Sequence, residues 1–296
     1  MSLEKPKISV GMPVYNGERY IESAIEATLS QTFGDFELII SDNASTDRTG
    51  EICRDFASRD ERIRYIRNAE NIGAANNYNQ LFRESSAEYF RWFNADDDCS
   101  EVLHERCFDV LEANPDAVMC YGKTVIIDQS GDVIDHYDDN LDLQQASAVE
   151  RFLQFRQVVG LTNAIYGLIR RSALANTALM GDSSYPAADT NLMAELVLYG
   201  KFIEIPEPLF SRRMHEEASS WNRKDTAAQQ TFWSGSGSKF VMPTWKKYIA
   251  YLRGINRSPL TRREKKILKR HIYKSMRWQR GPISREFLQM ILKVNA

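Results

Sequence analysis

The chain predicts an α/β fold: a mostly parallel sheet with helices on both faces, followed by a helical C-terminal extension. Three observations carry that reading. Between Ile8 and Ile127, short apolar runs alternate with stretches whose apolar residues recur near a helical period. A polar cluster stands at the C-terminal end of each of the first four runs. The charge is also divided along the chain. From Trp245 to Ala296 there are 15 Lys/Arg against two acids, whereas residues 1–244 hold 23 basic and 38 acidic residues. The net charge of −2 therefore hides a basic tail on an acidic body. Alternation of this kind places helices on both sides of parallel strands.

The strand runs are Ile8–Met12, Phe36–Ser41, Ile63–Arg67, Tyr89–Phe93 and Val118–Ile127. Between them, helices are expected at Glu18–Gln31, Asp47–Arg59, Ala74–Ser86 and Glu101–Ala113. In the first helix Tyr20, Ile21, Ala24, Ile25, Thr28 and Leu29 share a face. Ser45 or Thr46 is placed to cap the second, and Asn114-Pro115 ends the fourth. Beyond Ile127 the alternation weakens. Gln129-Ser130-Gly131-Asp132 reads as a hairpin turn and Tyr137–Asp142 as an acidic loop. A helix is expected over Ala148–Val159, a strand over Ala164–Arg170, a helix over Asp189–Tyr199 and a strand over Lys201–Ile205. Polar and glycine-rich residues then predict a flexible linker over 221–244, with Gly235-Ser236-Gly237-Ser238 at its centre. Helical patterns follow at Trp245–Ile255, Arg262–Trp278 and Ser284–Val294.

Composition bounds the function. The 296 residues are 43% hydrophobic and 26% charged, ordinary for a globular chain with one large domain and an appendage. No run reaches the ~18 consecutive apolar residues of a membrane span. Met1–Pro6 lacks an apolar signal core, which predicts a cytoplasmic protein. Cys53, Cys99, Cys107 and Cys120 show no CxxC spacing and read as reduced thiols.

In open parallel sheets, ligands bind at the C-terminal ends of strands. Pro13-Val14-Tyr15-Asn16 follows the first strand, and Asp42-Asn43-Ala44-Ser45-Thr46-Asp47 the second. Asn71-Ile72-Gly73 follows the third, and Asn94-Ala95-Asp96-Asp97-Asp98 the fourth. Three successive carboxylates behind an aromatic strand repel one another unless a cation sits among them, which favours a hard divalent ion. The alternative is a solvated acidic turn before the next helix. No GxGxxG follows the first strand, and Gly235–Lys239 lacks the spacing of a phosphate loop, so a dinucleotide oxidoreductase and a P-loop enzyme are excluded.

With those residues assembled, the chain resembles glycosyltransferase family 2, whose fold is the GT-A type built on a Rossmann-like sheet. The carrying motifs are the PVYN turn, the Asp-rich turn after strand two, the NxG element and a DxD-type motif. Gly167–Arg171, Ala188-Asp189 and Arg213-Met214-His215 extend the likeness across about 6–220. The resemblance implies a catalytic domain over 1–220, with a donor-nucleotide half near 1–127 and an acceptor half near 128–220. It implies an inverting transfer from a UDP- or dTDP-sugar to a saccharide or lipid-linked acceptor, in bacterial cell-envelope polysaccharide or glycolipid synthesis.

Residue roles follow the same resemblance. Pro13, Tyr15 and Asn16 would shape the base pocket, and Asp42 would accept from the uracil or thymine imide, unless it only caps a helix. Asn71 and Gly73 would lie along the nucleotide. The family's Asp-x-Asp stands here as Asn94-Ala95-Asp96. Asp96 would ligate Mn²⁺ or Mg²⁺, Asn94 would accept from a ribose hydroxyl, and Ala95 and Asp97 would complete the turn around the diphosphate. Arg213 would lie over the diphosphate, with His215 as a second metal ligand. Asp189 would be the general base, with Ala188 standing where the family has Glu; its plain alternative is a helix cap. Ser219-Ser220-Trp221 would close over the donor. Two other classes stay open: a degenerate nucleotide- or carbohydrate-binding homologue, and an NDP-sugar nucleotidyltransferase, whose Gly-rich basic loop is missing from Gly11–Glu18.

The tail has its own pattern. Trp245, Tyr248, Ile249, Leu252 and Ile255 form an apolar face, and Arg262-Arg263-Glu264-Lys265-Lys266 leads a strongly basic segment. It reads either as helices packed on the catalytic domain or as a peripheral contact, through 245–296, with the anionic inner face of the cell membrane. No nucleic-acid motif accompanies the charge.

Overall fold

The computed structural model describes residues 5–181, 187–216, 231–234 and 242–294. The expected donor flap at Ser219–Trp221 and the glycine-serine loop at Gly235–Ser238 lie outside the described residues, as do residues 182–186. In the first half, strands and helices alternate: β1 (Ile8–Val14), α1 (Ile21–Leu29), β2 (Phe36–Asp42), α2 (Thr49–Arg59), β3 (Ile63–Arg67), α3 (Ala74–Glu84), β4 (Tyr89–Trp92), β5 (Asp98–Cys99), α4 (Leu103–Ala113) and β6 (Ala117–Ile127). Then come β7 (Val133–Tyr137), α5 (Ala148–Val158), a 3₁₀ turn (Asn163–Tyr166), β8 (Leu168–Arg170), α6 (Arg171–Leu174), α7 (Ala188–Leu196) and β9 (Lys201–Arg213). Three further helices end the described chain: α8 (Pro243–Arg257), α9 (Arg262–Trp278) and α10 (Arg280–Val294).

The strands form one sheet in the order β3-β2-β1-β4-β8-β6-β9-β5, with β7 pairing β6 off that path. β3, β2, β1 and β4 are mutually parallel, and β6 and β9 are parallel to each other. The short β8 lies antiparallel between β4 and β6. Alternating side chains feed a core on each face. Ile8, Val10, Met12 and Val14 of β1 pack with Ile21, Ala24 and Ile25 of α1. Phe90 and Trp92 of β4 point the other way, into a core with Leu81 of α3 and Leu192 and Met193 of α7. Gly11 lets α3 come close to β1: a Cβ there would stand 2.9 Å from both Leu81 Cβ and the Phe90 ring.

The tail helices share that second core. Tyr248, Tyr251 and Ile255 of α8 and Leu268 and Ile272 of α9 are buried in it, and Arg257 pairs with the buried Glu195 of α7. Pro243 opens α8 where its missing N–H costs nothing, and Thr261 and Glu264 form a reciprocal capping box on α9. The expected start of α10 at Ser284 is four residues late, because Pro282 sits in its first turn, where proline is tolerated.

Three local expectations fail for identifiable reasons. Neither Ser45 nor Thr46 caps α2. The N-cap is Arg48, without a side-chain cap, and Asp47 just before it accepts from Thr49 N at 3.0 Å and Thr49 Oγ1 at 2.6 Å. The apolar run Ala164–Arg170 opens as a 3₁₀ turn after Thr162 enters the left-handed region at φ +60°, so only Leu168–Arg170 is strand. β9 does not stop at Ile205. The ladder to β6 shifts register around Lys123 and carries the strand through Pro206 and Pro208 to Arg213. That continuation carries Arg212, Arg213 and His215 to the site.

Candidate active site at the strand edge

The sheet order explains the convergence of distant motifs. β1 lies between β2 and β4, all parallel, with Val14 opposite Asp42 and Gly11 opposite Trp92. The turns after β1, β2 and β4 must therefore share one edge, where the topology of such sheets puts ligands. β9 runs antiparallel to β5, pairing Ser211 with Asp98, and so delivers its last residues beside the aspartate turn.

On the β2 side, polar side chains brace one another. Asp42 is fully buried, and its carboxylate accepts from Ser45 N at 2.7 Å, Tyr65 OH at 2.6 Å and Arg67 Nη1 at 2.6 Å. Burial pushes this carboxyl up, but the hydrogen bonds from Ser45, Tyr65 and Arg67 outweigh it and hold it below the usual carboxylate range. Asn16, at φ +51°, donates from its N–H to Ser45 Oγ and accepts from Thr46 N at 2.8 Å, tying the first turn to the second. Asn71 Oδ1 accepts from Gly73 N and Asn43 Nδ2, and Asn43 Oδ1 accepts from Ile72 N and Asn68 Nδ2. Tyr15 stands apart. Its ring is 51% exposed beside the half-buried Pro13, which leaves a face free for stacking.

The β4 turn is arranged differently. Asp96 keeps a partly exposed carboxylate whose Oδ2 lies 3.0 Å from His215 Nε2. His215 is buried, with its ring 4.9 Å from that of Tyr20, and among the described residues its Nδ1 has no hydrogen-bond partner. Asp97 is buried, accepting from Arg213 N and Asn94 Nδ2, each at 2.9 Å. Burial, then the neighbouring Asp96, push its carboxyl up to about 8. Asn94 is engaged on both sides: its Oδ1 accepts from Tyr78 OH, and its amide donates to Asp97 and to Tyr166 OH. Arg213 donates to the carbonyls of Asp96 and Asp128, and its guanidinium covers the Tyr20 ring. Ala95 is buried against Gly17.

The third element is the N-terminus of α7. Asp189 is half-buried; its Oδ2 accepts from Thr162 Oγ1 at 3.2 Å and its Oδ1 from Thr190 N at 2.6 Å. Tyr166, whose OH accepts from Asn94 Nδ2, lies within electrostatic reach of Asp189. Burial pushes this phenol up to about 12, and the charges of Arg212, Asp97 and Asp189 all act on it. Arg212 donates to Asn163, next to the buried Asp139, which accepts from Asn163 N.

Several expected site residues also hold the local structure. Asn94 Oδ1 accepts from Tyr78 OH, which leaves the oxygen one further acceptor lone pair. Arg213 is buried and donates to the carbonyls of Asp96 and Asp128. Asp42, Asn16 and Asn71 also position their loops, through their side-chain oxygens. Sequence reasoning missed Arg67, Tyr78 and Tyr166. Arg67 had a register signal, standing opposite Asp42 at the end of β3. The two tyrosines lie on helical segments and carried none.

The Asp96–His215 pair fits a divalent ion. The two side chains are hydrogen-bonded to each other at 3.0 Å, which is also about the spacing of adjacent ligands ~2.1 Å from a six-coordinate cation. Among the described residues no group of three or more His, Cys, Asp or Glu could hold a metal. A cation here would therefore draw its remaining ligands from water and substrate oxygens, as Mg²⁺ commonly does.

The comparisons establish the family and the fold. Residues 9–176 match the model of glycosyl transferase family 2, more than half of the chain, and the protein belongs to that family. The fold is shared with Staphylococcus aureus TarS 1–349 in complex with UDP-GlcNAc: TM-score 0.65, 14% identity, covering 91% of this chain and 72% of that one. It is shared too with the mannosyltransferase PcManGT from Pyrobaculum calidifontis in complex with GDP-Man and Mn²⁺: TM-score 0.55, covering 97% and 87%. An uncharacterized glycosyltransferase of Methanocaldococcus jannaschii, MJ1057, is 29% identical over 137 residues, 46% of this chain and 47% of that protein. The chain spans less than half the length of the first curated relatives it matches.

Proposed function

We propose that the protein is an inverting, metal-dependent glycosyltransferase that takes a sugar from a UDP-sugar, or a dTDP-sugar, to a saccharide or lipid-linked acceptor of the bacterial cell envelope. The carrying observation is the half-open Asp96–His215 pair, which shares an edge with the exposed Tyr15 ring and with Asp189 across Tyr166. Tyr15 and Pro13 take the base, while Asp42 and Arg67 hold the floor of that pocket. Asp96 and His215 hold the cation, Mn²⁺ or Mg²⁺, which when bound offsets the charge of the departing diphosphate. TarS and PcManGT, bound to UDP-GlcNAc and to GDP-Man with Mn²⁺, support a nucleotide-sugar donor and a divalent ion. We read 1–220 as the catalytic unit, with the donor half near 1–127, and 245–296 as its basic extension.

Asp189 then removes the acceptor's proton. The acceptor oxygen attacks C1 of the sugar, the bond from C1 to the diphosphate oxygen breaks, and the proton passes to Asp189. Thr162 Oγ1 and Thr190 N hold the carboxylate in place for that role. Such proton transfer contributes about 10²–10⁴-fold. Asp189→Asn should lower turnover of a UDP-sugar by that factor while UDP binding, read by calorimetry, persists. Unchanged turnover would remove Asp189 from this role, and absence of UDP binding with Mn²⁺ in the unmodified protein would remove the donor class.

A further inference from the structure

Among the described residues, no helix is long and apolar enough to cross a membrane. The outer face of α9 nonetheless has an unusual make-up. Leu268 and Ile272 turn inward and are fully buried, while Arg262, Lys265, Lys266, Lys269, Arg270 and Tyr273 line an open groove of about 540 Å³. At helical spacing, Arg263, Lys266, Arg270 and Arg277 run along the side opposite Leu268, all exposed. Large apolar side chains stand exposed beside them: Tyr273 at 54%, Ile267 at 46% and Trp278 at 80%. On the adjoining α10, Leu288 and Ile291, three residues apart on one face, are 59% and 52% exposed.

We propose that this face of α9 and α10 seats the protein on an anionic membrane surface, the lysines and arginines against lipid phosphates and Trp278, Leu288 and Ile291 in the interfacial layer. Charge complementarity selects this occupant. The segment from 245 to 296 holds 15 basic and two acidic residues, so two copies meeting through this same face would bring like charge against like. A nucleic acid would satisfy the cations but leave exposed leucine and isoleucine in water, whereas an interfacial helix uses both kinds of residue. Lys and Arg reach lipid phosphate while their stems cover apolar surface. The proposal gives the lipid-linked acceptor reading a docking surface, but vesicle binding is measured without turnover, so either can fail alone.

The test is flotation of the full chain with vesicles of phosphatidylcholine alone and of equal parts phosphatidylcholine and phosphatidylglycerol. Binding should be confined to the anionic vesicles and weaken as salt rises. Lys266→Glu with Arg270→Glu should lower it at least about tenfold, and Trp278→Ser should lower it several-fold at fixed salt. All three residues are exposed, and circular dichroism checks that the variants fold. Equal binding to both vesicles, or no binding to either, would overturn the proposal. So would indifference to Trp278→Ser together with equally tight binding to duplex DNA, which would describe a general polyanion surface.

Discussion

The two sides of the candidate site use the same residue types to opposite ends. On the β2 side, Asp42, Asn16, Asn43 and Asn71 are joined into a lattice in which each engages its neighbours, and the Asp42 carboxylate is fully buried. On the β4 side, the Asp96 carboxylate remains partly exposed and His215 Nδ1 has no partner among the described residues. A carboxylate with three internal donors is a scaffold; one with an open oxygen can still act on a ligand. Position at the strand edge is common to both sides, so free hydrogen-bonding capacity is what separates chemistry from support. Substitutions should therefore sort into those that lower turnover and those that lower stability.

Between these two sides, the largest effect should fall on Asp96. Asp96→Asn keeps the shape and weakens the charge that holds a divalent ion, so Mn²⁺-dependent turnover should drop about 10²–10³-fold, comparable to losing one strong electrostatic contact. The melting temperature should scarcely move. A matching loss of stability would place Asp96 with the scaffold. Asp42→Asn should do the reverse, costing about 3 kcal/mol in denaturant unfolding, because it weakens three charge-assisted hydrogen bonds to one buried carboxylate. The Asp42 carboxyl is held low in the folded state, so its contribution is present above the unfolded pKa of about 4 and is lost as pH falls further. The variant should accordingly lose its deficit in acid.

How much of this was legible in the sequence depends on the range of the signal. β1 to β4 and their helices follow from local periodicity, and Ile63–Arg67 matches the observed strand at both ends. The convergence of four polar turns also follows, since parallel strands share an edge. The direction of each polar side chain did not, because it is fixed by residues far away in the chain. Asn94 shows this. Tyr78 comes from α3 and Tyr166 from the 3₁₀ turn, and only the folded sheet brings them to it. The strand expected over Lys201–Ile205 fell short for a related reason: pairing with β6, distant in the chain, carries it on to Arg213.

Asp139 offers a pH test that the rest of the site does not confuse. Burial pushes its carboxyl up to about 7, against hydrogen bonds from Asn163 and Ala164 and the charge of Arg212. A folded pKa raised above the unfolded value of about 4 means that ionisation opposes folding. This group's burden is absent below pH about 4, grows until about 7 and is constant above. Asp139→Asn should therefore gain stability relative to the parent across that window, by roughly 2–3 kcal/mol at its upper end. A melting-temperature difference flat from pH 4 to 8 would show that Asp139 is solvated in the folded protein.

The smallest expected effect is also the one that bears most directly on the departure from the family motif. Asn94→Asp restores the usual first aspartate, and a reading by motif alone expects tighter metal binding and higher turnover. The contacts argue otherwise. The new carboxylate would lose the two amide donors that serve Asp97 and Tyr166, and would place a further negative charge beside an aspartate already pushed up to about 8. Tyr78 would keep its acceptor, which limits the damage. A loss of about 1–2 kcal/mol is expected near neutral pH, shrinking in acid as the added group protonates, with Mn²⁺ affinity unimproved. If calorimetry instead found tighter Mn²⁺ binding in the variant, residue 94 would belong with Asp96 on the reactive side of the site.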